Sequence, residues 1–167
     1  MKTHGIMAAV AVSSALSLGV AVATAPGSAD ATADLITGPT TTDRNPLRDY
    51  EGYCTWGAQE QIHEHTGYYI KALTGNAESW ANQAEAAGLT VVGDPRPHSI
   101  AVFSSSLVGG VGHVAWVEAV NGRQLTITEM NSGPGATVEN GYHTAGFHEF
   151  DTRTVEDVPG MIYILIP

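Results

Sequence analysis

The chain has 167 residues, with 17 acidic against 7 basic side chains and a formal net charge of −10 at pH 7. Such an excess of carboxylates repels nucleic acid and anionic membrane faces, so neither class of partner is expected. One cysteine, Cys54, excludes an internal disulfide framework.

In chain order, Lys2 precedes the apolar, alanine-rich run IMAAVAVSSALSLGVAVATA over residues 6–25, followed by Ala29-Asp30-Ala31 and Ala31-Thr32-Ala33. This reads as a secretory signal peptide over residues 1–33, cleaved after Ala31 or Ala33; Pro26 disfavours a cut after Ala25. The rival reading, an uncleaved anchor, is opposed by the serines, the many alanines and the small-residue cleavage sites. No other stretch is apolar enough to cross a membrane. The expected location is extracellular or cell-wall associated, with no membrane contact after cleavage. Removing those residues leaves 134 of the 167, enough for one domain with one core, and a monomer is expected.

Residues 34–49 (DLITGPTTTDRNPLRD) are polar, carry Pro39 and Pro46, and read as a linker to a folded domain over 50–167. Cys54 to Thr66 lacks proline and predicts a helix closing at Gly67. A second helix starts at Asn76, places Trp80, Ala84 and Ala87 on one face, and ends at Gly88. Beyond the turn-rich GDPRPHS, strands are predicted over 100–104, 113–120 and 124–131, and in MIYILI near the C-terminus. Helices followed by a run of strands make an α+β fold, because a parallel sheet needs helices between its strands.

The hairpin at Asn121-Gly122 decides which side chains meet. A bulge at Gly122 sets Val117 opposite Leu125, Ala115 opposite Ile127 and His113 opposite Glu129. A plain two-residue turn would mix polar and apolar groups on both faces. Either imidazole or carboxylate alone is unremarkable; the bulged pairing puts them side by side, with Asn131 pointing the same way.

A thiol becomes a nucleophile as thiolate, which a helix N-terminus and a neighbouring imidazolium both favour. Cys54 opens a predicted helix, and His113 with Glu129 or Asn131 is the pair that strand geometry supplies. Gly109, Gly110 and Gly112 leave room for a substrate backbone. The bland readings are a small buried cysteine and a structural histidine. His63 and His65 face different directions on a helix, and His98, His143 and His148 lack metal-ligand spacing, so no metal and no cofactor are expected. Trp80 reads as core; Tyr53, Trp56 and Trp116, near the proposed catalytic residues, are candidate substrate-binding side chains.

The segments GYCTWGA, GNAESWANQAEAAGLTV, PRPHSIAVF, GHVAWVEAVNG and ITEMN resemble, in order and spacing, the CHAP family of cysteine- and histidine-dependent amidohydrolases/peptidases, over about residues 50–166. The resemblance implies a papain-like fold and a secreted cysteine hydrolase cleaving amide bonds in bacterial peptidoglycan, either the muramoyl–alanine amide or a peptide bond. It implies Cys54 as nucleophile, His113 as base and Glu129 as orienting residue, with Asn131 also at the site. Many relatives carry glutamine where this chain has Tyr53, which removes one side-chain donor to the oxyanion. His98 stands where relatives have glycine. Some relatives bind calcium upstream of the cysteine; here Asp43, Asn45, Asp49 and Glu51 are interrupted by Pro46 and Leu47. The alternatives are a non-catalytic secreted surface antigen of the same fold and a metal-dependent hydrolase, the latter disfavoured by the histidine spacings.

Overall fold

The computed structural model describes residues 40–131 and 146–167. The signal-peptide reading of residues 1–33 and His143 lie outside the described residues. Among those described, no helix is long and apolar enough to cross a membrane.

Helix α1 spans Cys54–Thr66. Gly52, at φ 91°, turns the chain into it, and Tyr53 is extended at φ −91° and ψ 164°. Gly67 ends it in the left-handed region at φ 83°, its N–H bonded to the carbonyl of His63, as the sequence predicts. Ala58 and Ile62 are buried on its inner face. A Cβ at Gly57 would lie 2.7 Å from Cβ of Met130, so a glycine is what lets α1 lie this close to the sheet.

The second helical segment begins as a 3-10 turn over Ala77–Ser79 and continues as α2, Trp80–Ala86. Asn76 does not cap it through its side chain; instead Ser79 Oγ donates to the Asn76 carbonyl at 2.7 Å. Trp80 and Ala84 are fully buried, as their helical spacing predicts, while Ala87 is half-buried.

Two short strands, β1 (Thr41–Thr42) and β2 (Tyr69–Ile70), pair antiparallel. Gln59, fully buried on α1, donates to the carbonyls of Ile70 and Leu73 and accepts from the Ile70 N–H, tying β2 to the helix. Among the described residues the main sheet has six strands: β3 (Val91–Val92), β4 (Ser99–Phe103), β5 (His113–Asn121), β6 (Gln124–Met130), β7 (Phe150–Glu156) and β8 (Ile162–Leu165). Their order is β3-β8-β4-β5-β6-β7, antiparallel throughout, with a four-residue helix α3 (Ser105–Val108) between β4 and β5. The α+β expectation holds. Strand β7 has no counterpart in the sequence reading, because Phe-Asp-Thr-Arg-Thr-Val-Glu lies at the sheet edge and buries little apolar surface.

The described part of the expected linker, residues 40–49, is not a free segment. Leu47 packs in the core, and the buried Asn45 amide accepts from the Leu47 N–H and donates to Glu60 at 2.7 Å. A polar composition hid a buried amide whose bonds are all made internally.

One face of the sheet, with Ile100, Val102, Val114 and Trp116, packs against α1 and α2 through Ile62 and Trp80. The other carries Phe103, Ala115, Val117, Leu125, Ile127 and Tyr163. The β5–β6 register corrects the expected pairing. Asn121 faces Gln124 and Val120 faces Leu125; the bulge lies at Glu118, after which Val117 faces Ile127 and Trp116 faces Thr128. Val117 and Val120 are three apart, so strict alternation would separate them; a bulge between them returns both to the same core. Continuing this pairing sets Ala115 across from Glu129 and leaves His113 one diagonal step from it, on the same face.

Candidate active site

Cys54 is the first residue of α1, half-buried, where helical N–H groups lack intrahelical partners and the helix dipole favours negative charge. His113 opens β5 and is 1% exposed. Its Nε2 lies 2.9 Å from Oε2 of Glu129, near the end of β6. Nδ1 is buried on the other side of the ring, where the Cys54 thiol is the group it interacts with. With Nε2–H donated to Glu129, the lone pair is on Nδ1, the nitrogen able to accept the thiol proton.

The electrostatics follow from these neighbours. Burial pushes the Cys54 thiol up, but the His113 imidazole, by hydrogen bond and charge, and the backbone of Val114 and Thr55 outweigh it, leaving the pKa below the ordinary thiol value. Burial pulls His113 down; Cys54 and Glu129 reverse this and raise it to about 9. Burial raises Glu129, and His113 and Arg153 together bring it below the usual carboxylate value. Both shifts of the couple favour thiolate and imidazolium over the neutral pair.

Cys54 opens onto a cleft of about 360 Å³ lined by Asp49, Tyr50, Tyr53, Thr55, Asn76 and Val111 among others. Tyr53 stands at this cleft, half-exposed, edge-on to Phe147 with ring centroids 5.1 Å apart. Trp56 does not line it. It packs against the core, meets His148 edge-on, and borders a separate depression with Pro46, Arg48, Asp49 and Glu51.

Trp116 is a correction. It is 1% exposed and stacked on His65 at 4.5 Å, within the core under α1 rather than at the cleft beside Cys54. Being three residues past His113 in β5, it falls on the opposite face of the pleat. Asn131 lies just past β6 at φ 44°, half-buried, and no hydrogen bond from it to the imidazole is present among the described residues. Gly112 is also re-read: a Cβ there would meet the Phe103 carbonyl at 2.6 Å, so its space is taken by the protein's own backbone rather than by substrate.

Arg153 is the residue that the sequence reading missed. Its Nε donates to Oε1 of Glu129 at 2.6 Å from β7. A single arginine between two threonines carries no local signal, and the partner strand pairing that aims it was not anticipated. Upstream, the amide of Asn45 is engaged with Leu47, Trp56 and Glu60. Among the described residues, no group of three or more His, Cys, Asp or Glu side chains is placed to hold a metal.

Residues 45–131 match the sequence model of the CHAP domain. The chain is 39% identical over 88 residues to a staphylococcal secretory antigen SsaA of Staphylococcus epidermidis, covering 52% of this chain and 32% of that protein. The counterpart in Staphylococcus aureus is 36% identical over 88 residues, with the same coverage. The match thus spans about a third of the length of these relatives. Among solved structures, an N-acetylmuramoyl-L-alanine amidase from Staphylococcus aureus superposes with a TM-score of 0.56 at 27% identity, covering 70% of this chain and 31% of that one.

Proposed function

The chain belongs to the CHAP domain family, and from that premise we propose that it is a secreted cysteine hydrolase of amide bonds in bacterial peptidoglycan. The observation that carries the reading is the buried couple of His113 with Glu129, set beside a thiol at a helix N-terminus that opens onto a cleft. The amidase similarity supports peptidoglycan as the substrate class.

In this mechanism Sγ of Cys54 attacks the carbonyl carbon of the scissile amide, and negative charge develops on the carbonyl oxygen. The first N–H groups of α1, which lack intrahelical partners, are the donors assigned to it, since Tyr53 offers no amide side chain. The imidazolium of His113 gives its proton to the leaving amine nitrogen, the C–N bond breaks, and a thioester remains on Cys54. The neutral ring then takes a proton from water, whose oxygen attacks the thioester carbonyl. The C–S bond breaks, and acid product and thiolate are released. Glu129 keeps the ring oriented and stabilises its charged form in both halves. Tyr53 is positioned to flank the substrate at the cleft.

The test is digestion of purified sacculi, with the new termini identified by mass spectrometry. The wild-type protein is expected to release new amino groups matched to new carboxyl groups, and Cys54→Ser none, because a serine hydroxyl is far less acidic than the thiol. Intact sacculi with wild-type protein, or comparable release by Cys54→Ser, would overturn the proposal. The position of the new amino terminus distinguishes the muramoyl–alanine amide from a stem or cross-bridge peptide bond.

A further inference from the structure

The row of charged groups behind Cys54 does not end at Glu129. The carboxylate has two oxygens, each with its own donor: Oε2 meets Nε2 of His113 at 2.9 Å, and Oε1 accepts from Nε of Arg153 at 2.6 Å. The Glu129 side chain is fully buried and that of Arg153 only 9% exposed, so this ion pair is little screened by water. Thiolate, imidazolium, carboxylate and guanidinium alternate in sign and sum to zero.

We propose that Arg153 is a positioning residue of the hydrolase: by holding Oε1, it keeps Glu129 aimed at His113 and ionised. The inference rests on the thiol-hydrolase reading above. Strand pairing places it. Arg153 is opposite Ile127 on β6, hence diagonal to Glu129 on the same face, while Thr152 points the other way and bonds Thr128. A slip of one residue in β7 would turn Arg153 to the opposite face. The carboxylate could otherwise rotate about its last torsion, which is broad, and leave the imidazole without a fixed acceptor. A guanidinium fits this task better than an ammonium because its donors are fixed in a plane.

Among the described residues, the other ionisable groups near the carboxylate are Asp151, opposite it on β7, His113 on β5 and, beyond the ring, Cys54 at the head of α1. Withdrawing the Arg153 cation leaves a net negative charge in a buried row, and that raises the pKa of every member. A looser Glu129 also supports the imidazolium less, which raises the Cys54 pKa again. Both effects act on the thiolate in the same direction.

The experiment is the pH dependence of Cys54 alkylation by iodoacetamide, for wild type, Arg153→Gln and Arg153→Lys. Because Arg153 acts through Glu129 and His113, the acid limb in Arg153→Gln is expected to move up by about half to one pH unit, with alkylation below it slowed about three- to tenfold. Arg153→Lys, which keeps the charge but not the planar donor, should move less. A purely structural arginine would lower the melting temperature and leave the limb in place, so superposition of Arg153→Gln on wild type overturns the proposal. If Arg153→Gln does not fold, Arg153→Lys decides: a resolved upward shift supports the role and superposition overturns it. Alkylation needs no peptidoglycan. A wild-type thiol that reacts as an activated thiolate but leaves sacculi intact defeats the substrate reading alone, whereas one that reacts like an ordinary thiol defeats both.

Discussion

Glu129→Gln removes a charge while keeping the shape of the side chain and one acceptor oxygen. His113 is lifted from 6.5 to about 9, which at about 1.4 kcal/mol per pH unit is about 3 kcal/mol in favour of the imidazolium. Cys54 and Glu129 both hold the ring in its charged form. Losing the carboxylate charge therefore lowers the ring's pKa. The alkaline limb of the pH–rate profile, where His113 gives up its proton, moves down from about 9. Turnover at the optimum should fall by about tenfold to a thousandfold, the range of general acid–base effects.

Stability changes in step. A histidine whose folded pKa is raised stabilises the fold fully below its ordinary value and loses that contribution as pH rises through about 9. In Glu129→Gln part of that contribution is absent at neutral pH. Arg153 also loses its bond to a carboxylate, and breaking a buried pair costs about 3 kcal/mol or more. The assay is therefore initial rate on solubilised muropeptides from about pH 6 to about pH 10, at a temperature well below the melting point of both proteins. A variant with wild-type turnover and an unmoved alkaline limb would refute the role given to Glu129.

Asn131→Ala is expected to reduce turnover less than Glu129→Gln at matched folding, since Glu129 already occupies Nε2 of His113; the reverse order of rates would transfer the orienting role to Asn131. Gly112→Ala should destabilise the fold by about 2 kcal/mol or more, because the residue is at φ 78° and its new Cβ would press on the Phe103 carbonyl; an unchanged urea midpoint would contradict this. Gln59→Leu should cost about 3 kcal/mol in the same measurement, as it leaves the carbonyls of Ile70 and Leu73 and the Ile70 N–H without their partner.

What the sequence determined by itself is largely what short-range physics encodes. The extent of α1 was legible because proline is absent from Cys54 to Thr66 and Gly67 is free to adopt the left-handed cap. The apolar runs marked β4, β5, β6 and β8, and alternation along β5 and β6 placed His113 and Glu129 on one face. The tertiary structure decided what depends on partners distant in the chain. Two valines three residues apart had to reach the same core, and the bulge that achieves this lies at Glu118 rather than at the turn, so that Val117 faces Ile127 instead of Leu125. Burial of Trp116 follows from α1 and His65 packing over its face of the sheet. Arg153 meets Glu129 only because a mostly polar edge strand pairs with β6, and strand pairing at a separation of 24 residues leaves no periodic trace in the sequence around either residue.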